Sequence, residues 1–269
     1  MKRNEVVLSA RAAAGRWVIP GDIHFPYHSE PAMTLLWRHC RALRPDHILL
    51  QGDTMDAASL SRFRGAQEVT ATLKEEGQAA APWLRRLRAT ARGKCYAAPG
   101  NHDQRSLKYA AKDNTAFSGL KWHEFWPDVD WSTWEVLPPD YILHVGKLTV
   151  EHGQHLAGAL SANPTQAVLQ TTPGRNILFG HTHRVSYSVR TVSVGAKRKS
   201  YTAVNVGTLQ DTDKTDQPTD KWTHAWAVVD VTAEGHFTAR VIHVVWTPGK
   251  ASILCPITGK VFRVTQSQD

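Results

Sequence analysis

Five short polar motifs, each directly following an apolar strand-like run, constrain this chain more than any other feature. In order they read Asp22-Ile23-His24, Gly52-Asp53-Thr54-Met55-Asp56, Gly100-Asn101-His102-Asp103, His152-Gly153 and Gly180-His181-Thr182-His183. The preceding runs are Trp17–Pro20, His47–Gln51, Lys94–Ala98, Leu148–Glu151 and Ile177–Phe179. Apolar runs of this length bounded by glycine read as buried strands. Loops at strand C-termini are where α/β sheets gather their ligand-binding groups. Glycines beside Asp53, Asn101, His152 and His181 permit tight turns and close backbone approach. In Asp22-x-His24 the i, i+2 spacing places both side chains on one side of an extended chain.

Between these motifs, helical patterns alternate with the strands. Ser29 reads as an N-cap with Pro31 in the first turn, and Met33, Leu36, Trp37, Cys40 and Leu43 follow at helical spacing. Val69–Ala91 reads as a helix with Pro82 as its candidate break, Trp83, Leu84 and Leu87 inward, and Arg85, Arg86, Arg88 and Arg92 largely outward. The second half is strand-rich. Tyr141–Val145 and Leu148–Glu151 read as a hairpin about Gly146-Lys147, followed by strands at Val185–Val192, Tyr201–Val206, Ala225–Val231 and Phe237–Trp246. Thr165–Gln170 is the one clear helix there. The expected fold class is α/β, with two facing mixed β-sheets, one from each half of the chain, flanked by helices. At 269 residues a single catalytic domain over residues 1–269 is expected, ending in a Gly/Pro-punctuated tail over residues 248–269.

Asp22, His24, Asp53, Asn101, His152, His181 and His183 offer four imidazoles, two carboxylates and one amide oxygen. That exceeds one tetrahedral zinc but matches two ions bridged by a carboxylate. A donor set of nitrogen and oxygen without thiolate fits Mn, Fe, Zn, Co or Ni better than Ca or Mg. The three cysteines, Cys40, Cys95 and Cys255, lie far apart with no CxxC pair, which speaks against a disulfide framework and suits a reducing cytoplasm.

In their order and spacing the motifs resemble those of the calcineurin-like metallophosphoesterase superfamily: DxH, GDxxD, GNH(D/E), H and GHxH. The match runs from Asp22 to His183, roughly 60% of the chain. At this size the chain is similar to phage- or prophage-type members. The resemblance implies a four-layer α/β/β/α sandwich and a dinuclear centre, with manganese as the expected metal in use. Asp22, His24 and His183 would hold one ion, Asn101, His152 and His181 the other, and Asp53 would bridge them. His102 would serve as general acid or phosphate contact, oriented by Asp56. A bridging hydroxide would then attack phosphorus in line with the leaving oxygen.

The resemblance leaves the phosphoester open. Where protein phosphatases of the superfamily carry Arg-Gly after the second aspartate, this chain has Ala57-Ala58. Arg105, three residues after His102, is a candidate replacement, and Asn101 a second substrate contact. A phosphodiesterase acting on a small diester or nucleotide is therefore expected. A DNA or RNA nuclease is the runner-up, a phosphomonoesterase follows, and the contrasting class is a non-catalytic metal-bearing binding protein. Net charge is +8, of which residues 57–125 carry 12 Lys/Arg against 6 Asp/Glu, a surplus suited to steering a polyanion. Trp122, Trp126, Trp131 and Trp134 read as a satellite core or a dimer contact before a base-stacking surface. Trp222, His224 and Trp226 border the polar loop from Asp211 to Asp220 and would themselves close over the site. The N-terminus reads as a strand and turn rather than a signal peptide, and no run is long enough to span a bilayer, so a cytoplasmic protein without a membrane partner is expected.

Overall fold

The computed structural model describes residues 3–61, 71–113, 117–195, 197–215 and 220–265. The strands are β1 (Asn4–Val7), β2 (Gly15–Ile19), β3 (His47–Leu50), β4 (Cys95–Ala97), β5 (Glu135–Val136), β6 (Tyr141–Val145), β7 (Leu148–Val150), β8 (Asn176–Phe179), β9 (Val185–Val194), β10 (Lys197–Val206), β11 (Ala225–Val231), β12 (Phe237–His243), β13 (Val245–Thr247), β14 (Lys250–Leu254) and β15 (Val261–Thr265). The α-helices are α1 (Ala10–Ala13), α2 (Glu30–Leu43), α3 (Leu73–Arg88), α4 (Arg105–Asp113) and α5 (Pro164–Thr171).

Two six-stranded mixed sheets form the centre, in the orders β1-β6-β7-β8-β10-β9 and β12-β11-β2-β3-β4-β5. Their facing surfaces share one apolar layer, including Trp17, Ile19, Leu49 and Val229 from one sheet and Leu143, Val150, Leu178 and Val204 from the other. On the outer face of the second sheet, Val18, Ile48 and Leu50 pack with Leu35 and Leu36 of α2 and Leu84 and Leu87 of α3. On the outer face of the first, Ile177, Phe179 and Ala203 pack with Val168 and Leu169 of α5. The result is the expected four-layer α/β/β/α sandwich.

The sheets do not divide by chain halves, however. Strand β1 crosses to pair in parallel with β6, and β11 and β12 cross back to extend the sheet of β2. The cause is visible in β2 and β11: Trp17, Val18, Ile19 and Ala225–Val229 are buried whichever face they point to. Two strands apolar on both faces need pairing partners and cover on both sides, and each supplies the other's edge.

Pro82 does not break α3, which runs unbroken through it. A capping box between Thr72 and Glu75 fixes the start, and Trp83, Leu84 and Leu87 are buried beyond the proline. The start expected at Val69 lies outside the described residues. Phe237–Trp246 is two strands, because the chain leaves the main sheet after His243 to open a three-stranded sheet, β13-β14-β15. That sheet accounts for the tail. It covers α2, with Arg38 Nη1 donating to the Arg263 carbonyl at 2.6 Å and Phe262 against His39. Cys255 is fully buried there, as a small apolar group.

The four tryptophans between 122 and 134 are all buried in the helix-covered core. None is free to stack on a base or to form a dimer face. Trp126 Nε1 donates at 2.9 Å to Glu76 of α3, whose carboxyl burial pushes up to about 8. The folded state therefore favours protonated Glu76 while the unfolded chain ionises it near 4.5. Between those values the native state holds a proton that the unfolded state lacks, so stability falls as pH rises from about 4.5 to about 8. Glu76→Gln removes this dependence. Its melting temperature relative to wild type is expected to be higher at pH 8.5 than at pH 5.5 by at least about 2 °C; a pH-independent difference would refute the assignment.

Candidate functional site

The parallel runs β2, β3 and β4 in one sheet and β7 and β8 in the other end on the same side of the sandwich. All five motifs leave from those C-terminal ends. Backbone conformation there is unusual: Asp22, His24, Asp53, His181 and His183 all have positive φ, between 48° and 69°. Five of the eight non-glycine residues with positive φ among those described are thus candidate ligands, the clustering expected where a fold holds side chains in imposed positions. The extended geometry expected for Asp22-x-His24 is absent. Positive φ at both residues brings them together instead, anchored by Ile23 N–H and His24 N–H donating to the Asp53 carbonyl.

The motif glycines have steric causes. A Cβ on Gly100 would collide with the Asp53 carboxylate and backbone nitrogen, and one on Gly180 with the Asp22 carboxylate. Both carboxylates are held from the side. Asp22 accepts from His181 N–H at 3.0 Å, and Asp53 Oδ1 from His102 N–H at 2.8 Å.

The donors converge in three overlapping groups. In one, Asp22, His24 and His183 bring ligand atoms within 4.8 Å of one another; in the second, Asp53, His152 and His181 do so; in the third, His24, Asp53 and His102. His183 Nε2 lies 3.3 Å from Asp22 Oδ1 and 3.3 Å from His24 Nε2. His152 Nε2 lies 3.1 Å from Asp53 Oδ2 and 3.2 Å from Asn101 Oδ1. Asp53 Oδ2 is also 3.9 Å from His24 Nε2, which ties the groups together. Electron-pair donors that face one another at such distances, buried and with two carboxylates among them, are a set that divalent cations satisfy. Burial and the neighbouring His152 push His181 down to about 4, which keeps its ring neutral.

Asp56 does more than orient one histidine. Its Oδ1 accepts from His24 Nδ1 at 2.8 Å and from His102 Nδ1 at 3.1 Å. Burial pushes its carboxyl up, but hydrogen bonds from His102 and His24 outweigh that and hold it well below the usual range. The first bond fixes the His24 tautomer and leaves Nε2 as a lone pair facing the site. His152 and His183 have no such support: their Nδ1 atoms are buried without a partner among the described residues.

Arg105 opens α4 and is half-buried. Its Nη1 donates to the Asp56 carbonyl at 2.9 Å and its Nη2 to His102 Nε2 at 3.0 Å. It is thus seated among the motif residues rather than standing as a solvated helix-start charge. The other described cations of the basic stretch lie elsewhere: Arg85 and Arg86 are exposed on α3, and Arg88 donates to the Thr133 carbonyl. Arg62 and Arg64 lie outside the described residues.

One contributor escaped the sequence reading. Asp103, fully buried, accepts from the backbone N–H of Thr54, Met55 and Gly100 at 3.3, 2.8 and 2.8 Å, stitching the second motif to the third. Burial and the charge of Asp53 push it up to about 7. Its place inside GNHD was the available signal. Trp222, half-exposed, sets its ring 4.0 Å from that of His183 and forms a wall beside the site. Its neighbours in sequence do not join it: Trp226 is buried and donates to His39, and His224 is tied to the Gln210 carbonyl. Residues 216–219 of the polar loop lie outside the described residues.

The family model for calcineurin-like phosphoesterases matches residues 16–195, which contain every motif. Among curated proteins, the Gene 54 protein of Mycobacterium phage D29 is 28% identical over 212 residues, covering 73% of this chain and 80% of the relative. The Gene 54 protein of Mycobacterium phage L5 is 27% identical over 207 residues, with the same coverages of 73% and 80%. Among solved structures, Vps29 of Chaetomium thermophilum is 12% identical at a TM-score of 0.47, covering 95% of this chain and 100% of that one. Vps29 of Entamoeba histolytica, solved with zinc, is 15% identical at a TM-score of 0.40, covering 93% and 98%.

Proposed function

The chain belongs to the calcineurin-like phosphoesterase family and is a metal-dependent phosphoesterase, and from that premise we propose that it is a dinuclear phosphodiesterase. The observation that carries this reading is that Asp53 joins His152 and His181 in one donor group and lies 3.9 Å from His24 of the other. Asp22, His24 and His183 would hold one divalent transition-metal ion, His152, His181 and Asn101 the other, and Asp53 would serve both. Manganese is the metal expected in use; Fe, Zn, Ni and Co fit the same donors. Bound there, the two ions supply an acidified water near neutral pH and neutralise phosphoryl oxygens.

This chain's residues do the rest. Asp56 keeps the His24 lone pair aimed inward and holds His102 by Nδ1, so that Nε2 faces the leaving oxygen. Burial pulls the pKa of the His102 imidazole down, but the neighbouring carboxylates of Asp53 and Asp56 outweigh it and raise the net value. Once Arg105 releases Nε2, it takes a proton from solvent and hands it to that oxygen. Arg105 now donates to that same Nε2. With substrate present its guanidinium turns to a phosphoryl oxygen, replacing the arginine absent at Ala57, and Asn101 is the second substrate contact. Trp222 forms a flat wall against an ester substituent. With only one guanidinium at the phosphoryl group, room is left for a second ester group, which favours diesters over monoesters. A nuclease is the second reading, favoured by the chain's basic surplus.

The test is turnover of bis-p-nitrophenyl phosphate and p-nitrophenyl phosphate, side by side, by the Mn²⁺-loaded protein. Faster diester turnover supports the reading, and monoester preference overturns it. Metal retained without turnover on either would place the chain with non-catalytic binding proteins. Trp222→Ala is expected to raise KM for aryl diesters by about fivefold, the loss of about 1 kcal/mol of ring contact, with kcat within about twofold. An unchanged KM would remove Trp222 from the substrate site.

A further inference from the structure

The strongest charge asymmetry of the chain lies in its second half. Between Glu151 and Asp211 there is no Asp or Glu, while Lys and Arg occur six times. Four of the six, Arg190, Lys197, Arg198 and Lys199, sit together at the far end of the β9–β10 hairpin, and all four are exposed. No carboxylate of the described residues pairs with any of them, whereas Arg16 and Arg240 share Asp230 and Arg175 holds Glu151.

The hairpin's form matters as much as its charge. Strand β8 pairs with β10 only from Ala203 to Asn205, so Lys197–Tyr201 pairs with β9 alone. The outer half is a free two-stranded ribbon, turned at Gly195 with φ 61° and tied across by Thr191 and Ser200 at 2.8 Å. Side chains alternate along each strand. The cross-strand pair Arg190–Tyr201 therefore puts Arg190, Lys197 and Lys199 on one face, with Arg198 on the other. Strand β9 begins two residues after His183, so at about 3.3 Å per residue the cationic end lies about 30 Å from the metal-binding end.

We propose that this ribbon is a nucleic-acid-binding arm that seats in the major groove of a duplex and grips its phosphates about 30 Å from the catalytic end, which acts on another part of the same duplex. A two-stranded ribbon is an element that groove admits, its roughly 12 Å width matching. Unpaired Lys and Arg lining such a ribbon meet phosphates on both sides. An anionic membrane is the competing polyanion, but residues 190–200 contain no Trp, Phe, Tyr or Leu to enter one. The proposal rests on the phosphodiesterase reading by naming its substrate class as duplex nucleic acid.

The experiment compares wild type with the variant Arg190→Thr, Lys197→Thr, Arg198→Thr, Lys199→Thr, threonine being compatible with a strand. Binding of a labelled DNA duplex of about 30 base pairs is followed by fluorescence anisotropy in EDTA, from about 50 to 200 mM KCl. The variant is expected to bind at least about tenfold more weakly at the lowest salt, with a log–log salt slope shallower by about 3 to 4. Its turnover of bis-p-nitrophenyl phosphate with Mn²⁺ should equal that of wild type, which also shows that it folds. Equal duplex binding by both proteins, with diester turnover intact, overturns the arm and leaves the phosphodiesterase standing. Hairpin-dependent binding to phosphatidylserine vesicles but not to the duplex overturns it in favour of a membrane. Absent diester turnover in wild type is a failure of the underlying reading instead.

Discussion

Asp53→Asn is expected to abolish turnover and metal retention together. The carboxylate is fully enclosed: Oδ2 lies against His152 Nε2, Oδ1 accepts from His102 N–H, and Gly100 packs so close that no larger residue fits. An amide of the same size keeps the shape but loses the charge that both donor groups share. It also brings an N–H₂ group into a space whose neighbours are built to donate or to bind a cation. Removing a single electrostatic contact from a catalytic centre costs about 10²–10³ in rate. On the proposed reading Asp53 would serve both ions, so the loss should be about 10³-fold or more, with metal content by mass spectrometry falling below about one ion per chain. A variant that kept two ions and most of its rate would show that Asp53 does not bridge.

His102→Ala should separate chemistry from metal binding. Both ring nitrogens of His102 already have partners, Nδ1 Asp56 and Nε2 Arg105, and removing the ring dissolves only the group His24–Asp53–His102, leaving Asp22, His24, His183, Asp53, His152 and His181 in place. Metal content is expected to stay at wild-type level while kcat falls by about 10²–10⁴, the usual contribution of a proton donor. The fall should be smallest for p-nitrophenyl esters, whose leaving group departs without a proton, and largest for alkyl or nucleoside esters. Loss of metal on this substitution would instead make His102 a ligand. An equal loss for good and poor leaving groups would make it a phosphate contact rather than an acid.

Much of the site was legible because its chemistry is local. Each motif is a handful of residues after a strand, and a glycine beside a carboxylate or imidazole marks a position where backbone and ligand come close, as Gly100 and Gly180 do. Pairing between distant strands was not legible. Residues Ala225–Val231 read correctly as a strand, but nothing in their own pattern says that they run antiparallel to β2 rather than join the other second-half strands. Helix α3 shows the limit of local rules from the other side: Pro82 is tolerated where a capping box and a buried face hold the helix on both sides of it. Asp103 was missed because its role lies in contacts made only after folding, with three backbone amides; the contact of Trp222 with the His183 ring likewise forms only on folding. The acid-free stretch from Glu151 to Asp211 was present in the sequence. Its meaning needed the hairpin that gathers its cations at one end.

The central claim is a pair of ions joined by Asp53, and the most direct measurement is anomalous diffraction from crystals of the protein grown with Mn²⁺, recorded near the manganese absorption edge. Two peaks about 3.5–4 Å apart are predicted, with Asp53 between them, Asp22, His24 and His183 around one, and Asn101, His152 and His181 around the other. A single peak, or two peaks with Asp53 bound to only one, would contradict the account.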